Sequence, residues 1–159
     1  MKTKTLIMLA LILVLVLAAS APRAALADDA VVPFKGTYDM SPQNAGVDPN
    51  GCNIQQMPGV GQATHLGEST LYSEALACPA TLTQSGSLLF TAADGSQLIG
   101  HFSGKISFAS YPTVTFWGDY WITEGNGRFD GYTGSGVYWG SSVMGSGKGI
   151  ITFDGLLFK

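Results

Sequence analysis

Three sets of side chains have the types and spacing to do chemistry. Glu124 ends an alternating apolar run, with Tyr120 before it on the same face and Arg128 shortly after. A carboxylate on an inward face needs a cation, because an unpaired buried charge is costly, and Arg128 is the only arginine beyond Arg23. Glu124, Arg128 and Tyr120 therefore read either as a polar patch at a ligand-accessible mouth or as a structural ion pair closing one end of the fold. In the first case Glu124 and Tyr120 are candidate acid–base groups. His65, in Ala63-Thr64-His65-Leu66-Gly67-Glu68, has the side chain of a general base near neutral pH. Nothing in the sequence aims a nucleophile or carboxylate at it, so a hydrogen-bonded structural role competes. Trp117 and Trp121 flank Asp119 on the opposite face from Tyr120. They could stack on sugar rings, lie under a neighbouring segment, or meet a second copy of the chain.

Several chemistries are disfavoured by composition. Cys52 and Cys78 are the only cysteines and His65 and His101 the only histidines, too few soft ligands at short spacing for a metal site. Gly145-Ser146-Gly147-Lys148-Gly149 lacks the Ser or Thr after Lys and the upstream Gly of a phosphate loop, and reads as a hairpin turn. No Gly-x-Ser-x-Gly elbow and no His-Glu-x-x-His pair occurs. No cofactor is expected.

The chain opens with Lys2-Thr3-Lys4, an uncharged aliphatic run from Leu6 to Ala19, and a small-residue stretch ending Ala25-Leu26-Ala27. That is the pattern of an export signal cleaved after Ala27. The run is short of the roughly 20 apolar residues that cross a membrane, so no membrane span is expected in the mature protein. Eight basic residues less Lys2, Lys4 and Arg23 leave five, against 11 acidic, a formal charge of −6 on residues 28–159. With no Lys/Arg cluster, nucleic acid is a poor partner. A secreted or periplasmic location is oxidising, so Cys52 and Cys78 are expected to pair.

These groups must be positioned by strands. Residues 28–159 form one domain's length, and no segment past residue 30 sustains a helical apolar period. Short alternating runs separated by Gly, Asn, Asp or Pro predict eight strands, at 31–40, 63–68, 70–77, 82–92, 97–108, 113–124, 134–141 and 147–158. The fold class is all-β: an eight-stranded antiparallel up-and-down barrel of calycin-like form, with a β-sandwich as the alternative. In 97–108 the alternation puts Leu98, Gly100, Phe102, Gly104, Ile106 and Phe108 inside. In 82–92 it puts Leu82, Gly86, Leu88, Phe90 and Ala92 inside, and Asp94-Gly95 supplies hairpin chemistry between the two. Phe116, Tyr120 and Phe102 are then lumen residues, while Trp117 and Trp121 face out. Inward glycines would let the sheet coil tightly enough to close. Residues 41–62, rich in Pro, Gly and Asn, read as a long loop stapled by Cys52, a lid over one barrel end or a tolerated insertion.

Two motifs carry a family resemblance. Thr64-His65-Leu66-Gly67 and the run Gly125-Asn126-Gly127-Arg128-Phe129-Asp130-Gly131-Tyr132-Thr133-Gly134-Ser135-Gly136 resemble small secreted bacterial proteins related to the allene oxide cyclase and dirigent barrels. The likeness spans roughly residues 63–158. It implies an eight-stranded antiparallel barrel with an apolar lumen, often oligomeric, whose relatives cyclise or steer small molecules. Their catalytic residues match no positions here, and the 41–62 segment and the cysteine pair depart from them. The reading from sequence is a secreted barrel that binds a small apolar molecule in its lumen. The alternatives are a cyclase or isomerase using the same cavity, and a structural or interaction protein of the envelope contacting partners through Trp117 and Trp121.

Overall fold

The computed structural model describes residues 31–159, and the expected export signal and cleavage after Ala27 lie outside them. The strands are β1 Val32–Met40, β2 Gln43–Val47, β3 Asn53–Ala63, β4 Gly67–Cys78, β5 Thr83–Ala92, β6 Gln97–Ser110, β7 Thr113–Asn126, β8 Thr133–Val143 and β9 Lys148–Phe158. Consecutive strands from β3 to β9 pair as an antiparallel meander, β9 pairs with β1, and β1 pairs with β3. This last ladder closes an eight-stranded barrel and excludes the sandwich. Among the described residues no helix is long and apolar enough to cross a membrane.

The barrel has eight strands, but its second wall strand is not the one predicted. The expected strand 63–68 is a turn at Thr64–Leu66 between β3 and β4, with His65 at φ 65°. The wall strand is β3, inside the segment read as a loop. Met40 opposes Gly59 and Gln43 opposes Gln56, so β2 continues the line of β1 along β3 after a break at Ser41-Pro42. Pro42 has no N–H to give the ladder, whereas the Ser41 N–H still donates to Pro58 O at 2.8 Å. Residues 41–62 are thus the top of the barrel wall, folded over at Asp48–Cys52. The glycines that suggested a loop serve the closure instead: a side chain on Gly61 would overlap the Thr37 carbonyl of β1.

Alternation behaves as expected in most strands. Leu98, Gly100, Phe102 and Ile106 are buried, as are Leu88, Phe90 and Ala92, while Leu82 sits exposed in the β4–β5 turn at φ 54°. Its place in the inward series falls one residue before β5 begins, where turn geometry overrides the period. The core is a cluster of rings: Phe90 and Phe153 (5.1 Å between centroids), Tyr120 and Phe153 (5.3 Å), Phe34 and Phe90 (5.4 Å), Tyr38 and Phe90 (5.6 Å). All of these pairs but the last stand near edge-to-face, a favoured aromatic arrangement.

Cys52 and Cys78 form the disulfide, with Cα atoms 4.2 Å apart. The β3–β4 register runs to Asn53 opposite Ala77, so the bridge sits one step beyond it and clamps the folded-over wall. Chain-entropy arguments for the 26-residue separation give about 3–4 kcal/mol. Replacing both cysteines by serine is expected to lower the urea unfolding free energy by about that amount. Equal stability of the double variant and the oxidised parent would contradict it.

Candidate functional site

The two barrel ends differ. One end is closed by the turns Thr64–Leu66, Ala93–Ser96 and a 3-10 turn at Gly127–Phe129. Arg128, in the third, ties it to the other two. Its backbone N–H donates to Ser96 Oγ (3.2 Å), and its guanidinium donates to Asp94 Oδ2 (2.6 Å) and to the carbonyls of His65 (2.9 Å) and Leu66 (3.4 Å). It also lies 4.9 Å from the centroid of the Phe129 ring, which is buried in the barrel end. The segments Thr64–Gly67 and Gly125–Gly136 thus meet at the closed end.

The expected patch of Glu124, Arg128 and Tyr120 does not form. Ile99 opposes Glu124 and the next residue, Gly100, opposes Ile122, so Thr123 is an extra residue, a β-bulge. The bulge shifts the alternation by one position and turns Glu124 out to solvent, where it is exposed. Arg128 pairs with Asp94 instead, in a half-exposed ion pair rather than a buried one. Backbone hydrogen bonding from Ser96, then the Arg128 charge, hold the Asp94 carboxyl below the usual range. Tyr120 is fully buried, its hydroxyl has no partner, and a side chain on Gly155 would meet that hydroxyl. His65 is exposed and contributes its carbonyl, not its imidazole. Of the three candidate catalytic residues, Tyr120 is therefore inside the barrel and Glu124 and His65 are exposed.

The other end is open. A cavity of about 560 Å³ runs from the mouth, between β2, the β4–β5 turn and the β8–β9 turn, down to the ring cluster. Its walls include Met40, Met57, Ile106, Phe116 and Ile151, and Phe102 packs edge-on to Tyr138 at 5.2 Å on its lining. Phe102 and Phe116 are lumen residues, as the alternation predicts. Of the polar side chains that line it, three are buried: Ser73, Gln84 and Tyr138. Gln84 Nε2 donates to the Tyr138 hydroxyl at 2.9 Å, and Ser73 Oγ has no partner. A side chain on Gly104 would collide with the Tyr138 hydroxyl, so this glycine makes the room that the phenol occupies. Sequence reasoning missed this trio, although polar residues on inward faces, such as Ser73 between Leu71 and Ala75, were a usable signal. Lys148 is the one charged residue on the lining, and it is the exposed first residue of β9. Among the described residues no three His, Cys, Asp or Glu gather to hold a metal.

Trp117 and Trp121 face outward and are 47% and 39% exposed. Trp139 of β8, absent from the sequence-based candidates, stands directly opposite Trp117, and His101 stacks on Trp121 with ring centroids 5.4 Å apart. Val137, Ile150 and Leu156 extend the exposed apolar face across β8 and β9. A shallow groove beside Trp139 holds the Lys35–Asp154 ion pair (3.1 Å). Comparisons of the chain with family models, curated proteins and solved structures find no match.

Burial raises the Tyr38 phenol to about 12, partly offset by the hydrogen bond with Ser69, and raises Tyr138 to about 12 against the hydrogen bond from Gln84. Burial, then the Asp154 charge, push Tyr120 up as well. Unfolded phenols ionise near pH 10. Groups raised in the folded state contribute stability fully below that value and lose it as pH climbs toward the folded pKa. Urea midpoints are therefore expected to fall steeply between about pH 10 and 12, and less steeply in Tyr38→Phe. A midpoint flat across that window would mean the phenols ionise in place.

Proposed function

We propose that this protein binds a small, largely apolar molecule in the open half of its barrel, outside the cytoplasm. The observation that carries the reading is the cavity itself: about 560 Å³, walled by Met, Ile and Phe side chains, with a few buried polar groups. That combination is the usual design of a small-molecule site. The rings fill one half of the barrel, and the cavity begins where they stop. A disulfide at the rim suits an oxidising compartment. The cyclase or isomerase alternative would use the same space. The buried polar groups there are hydroxyls and an amide rather than a carboxylate or imidazole, which supports holding a molecule over turning it over.

The neutral fluorophore N-phenyl-1-naphthylamine, bright in apolar surroundings, tests this. It is expected to bind the parent chain saturably, and Val114→Trp, which fills the cavity near its mouth, should weaken binding about tenfold or more with the dichroism spectrum unchanged. Equal binding by both chains would place the probe elsewhere and defeat the reading.

One observation favours a second reading, self-association through the outer wall. Exposed apolar side chains grouped on one face can mark an association surface, and Trp117, Trp139, Val137 and Ile150, all exposed, lie on adjacent strands β7 to β9. Sedimentation velocity is expected to show a dimer that Trp139→Glu converts to monomer. A parent chain that stays monomeric at high concentration removes this reading.

A further inference from the structure

We infer that the molecule seated in the cavity carries a neutral, hydrogen-bond-accepting oxygen of carbonyl type, which lies among Ser73, Gln84 and Tyr138 while an apolar chain fills the space toward the mouth. This rests on the lumen reading above and names the class of ligand for it.

Ser73 is 1% exposed, lines the cavity and has a hydroxyl with no partner in the protein. Of the two buried hydroxyls without a partner, Ser73 and Tyr120, only Ser73 lines the cavity, and a buried polar atom left unpaired beside such a space calls for a partner from outside the chain. Tyr138 is also 1% exposed. Its oxygen accepts from Gln84 Nε2, which leaves its own proton to be donated elsewhere. Two hydroxyl protons therefore open on the same cavity. A phenol keeps its proton at neutral pH, and burial of Tyr138 only strengthens that. An acceptor oxygen is the complement of such a pair.

The same geometry selects against other leading groups. The cavity's one charged side chain, Lys148, is the exposed first residue of β9 at the mouth, so a carboxylate carried inward would have no cation beside it. A plain hydrocarbon would seal Ser73 Oγ away with its hydrogen bond unmade. Met57, Phe102 and Ile151 on the walls suit an alkyl chain. A ketone, ester or lactone with an apolar tail meets all of these conditions.

The test displaces N-phenyl-1-naphthylamine from the full chain with three ligands of equal chain length: methyl nonyl ketone, undecane and undecanoate at neutral pH. After correction for transfer from water, the ketone is expected to bind about tenfold more tightly than undecane, with undecanoate weaker than the ketone. Ser73→Ala and Tyr138→Phe should each remove part of the ketone's advantage, and the double variant nearly all of it, while undecane binds every variant alike. Each change deletes only a hydroxyl, and dichroism checks that the barrel persists. Equal binding of ketone and undecane to the parent chain overturns the inference but leaves the lumen reading standing. An undiminished ketone advantage in the double variant does the same. Failure of the probe and all three ligands to bind overturns both.

Discussion

Closure of the sheet through the β1–β3 ladder is the constraint on which the rest depends. Gly36 to Met40 pair with Ala63 back to Gly59, and this short antiparallel contact turns a meander into a tube. It needs the backbones to approach where a side chain on Gly61 would strike Thr37, and a side chain on Gly36 would strike Ala63. Without that approach Tyr38 and Phe34 of β1 would lose the partners across the lumen that they now have in Phe90. The ring cluster, the floor of the cavity and the separation of inner from outer residues all follow from a tube having an inside.

A closed tube can fill itself or keep a space, and this one divides the task along its axis. Toward the Arg128 end, large rings meet glycine notches: Tyr120 lies against Gly136 and Gly155. That half is packed and capped by Phe129 and Leu66. Toward the other end rings such as Phe102 and Phe116 share the wall with smaller or more flexible residues, Ala77, Met40 and Met57, around the cavity. The polar chemistry follows the same division except at Tyr120, whose unpartnered hydroxyl lies among the rings. Arg128 satisfies turn carbonyls and Asp94 at the closed end, while Ser73 and Tyr138 keep unspent hydrogen-bonding capacity beside the cavity.

Much of the fold was legible in the sequence because one face of each strand is buried. The β6 alternation from Leu98 to Ile106 reads directly, as do the antiparallel hairpins, the Cys52–Cys78 pair and the outward Trp117 and Trp121. Two failures have physical reasons. Pro42, Pro49 and Pro58, with the glycines around them, hid β3 and made wall look like loop, since composition does not reveal that a glycine is there for a close backbone approach. A single bulge at Thr123 reversed Glu124, and no local pattern announces an extra residue in a ladder whose partner is distant in sequence. The cavity's polar residues went unread for a related reason: Ser73, Gln84 and Tyr138 lie on three different strands, and only the closed register gathers them around one space.

The folded-over wall leaves one strand unlike the others. β2 pairs with β3 on one side only, because β9 stops opposite Met40. Its other side is a raw edge, the kind of border that recruits strands from neighbouring molecules and seeds fibrous assembly. Three features blunt it. The strand runs only from Gln43 to Val47, Pro42 precedes it, and an irregularity between Asn44 and Gly46 bends it out of register. The rim can therefore project beyond the tube while offering little template for stray chains to extend.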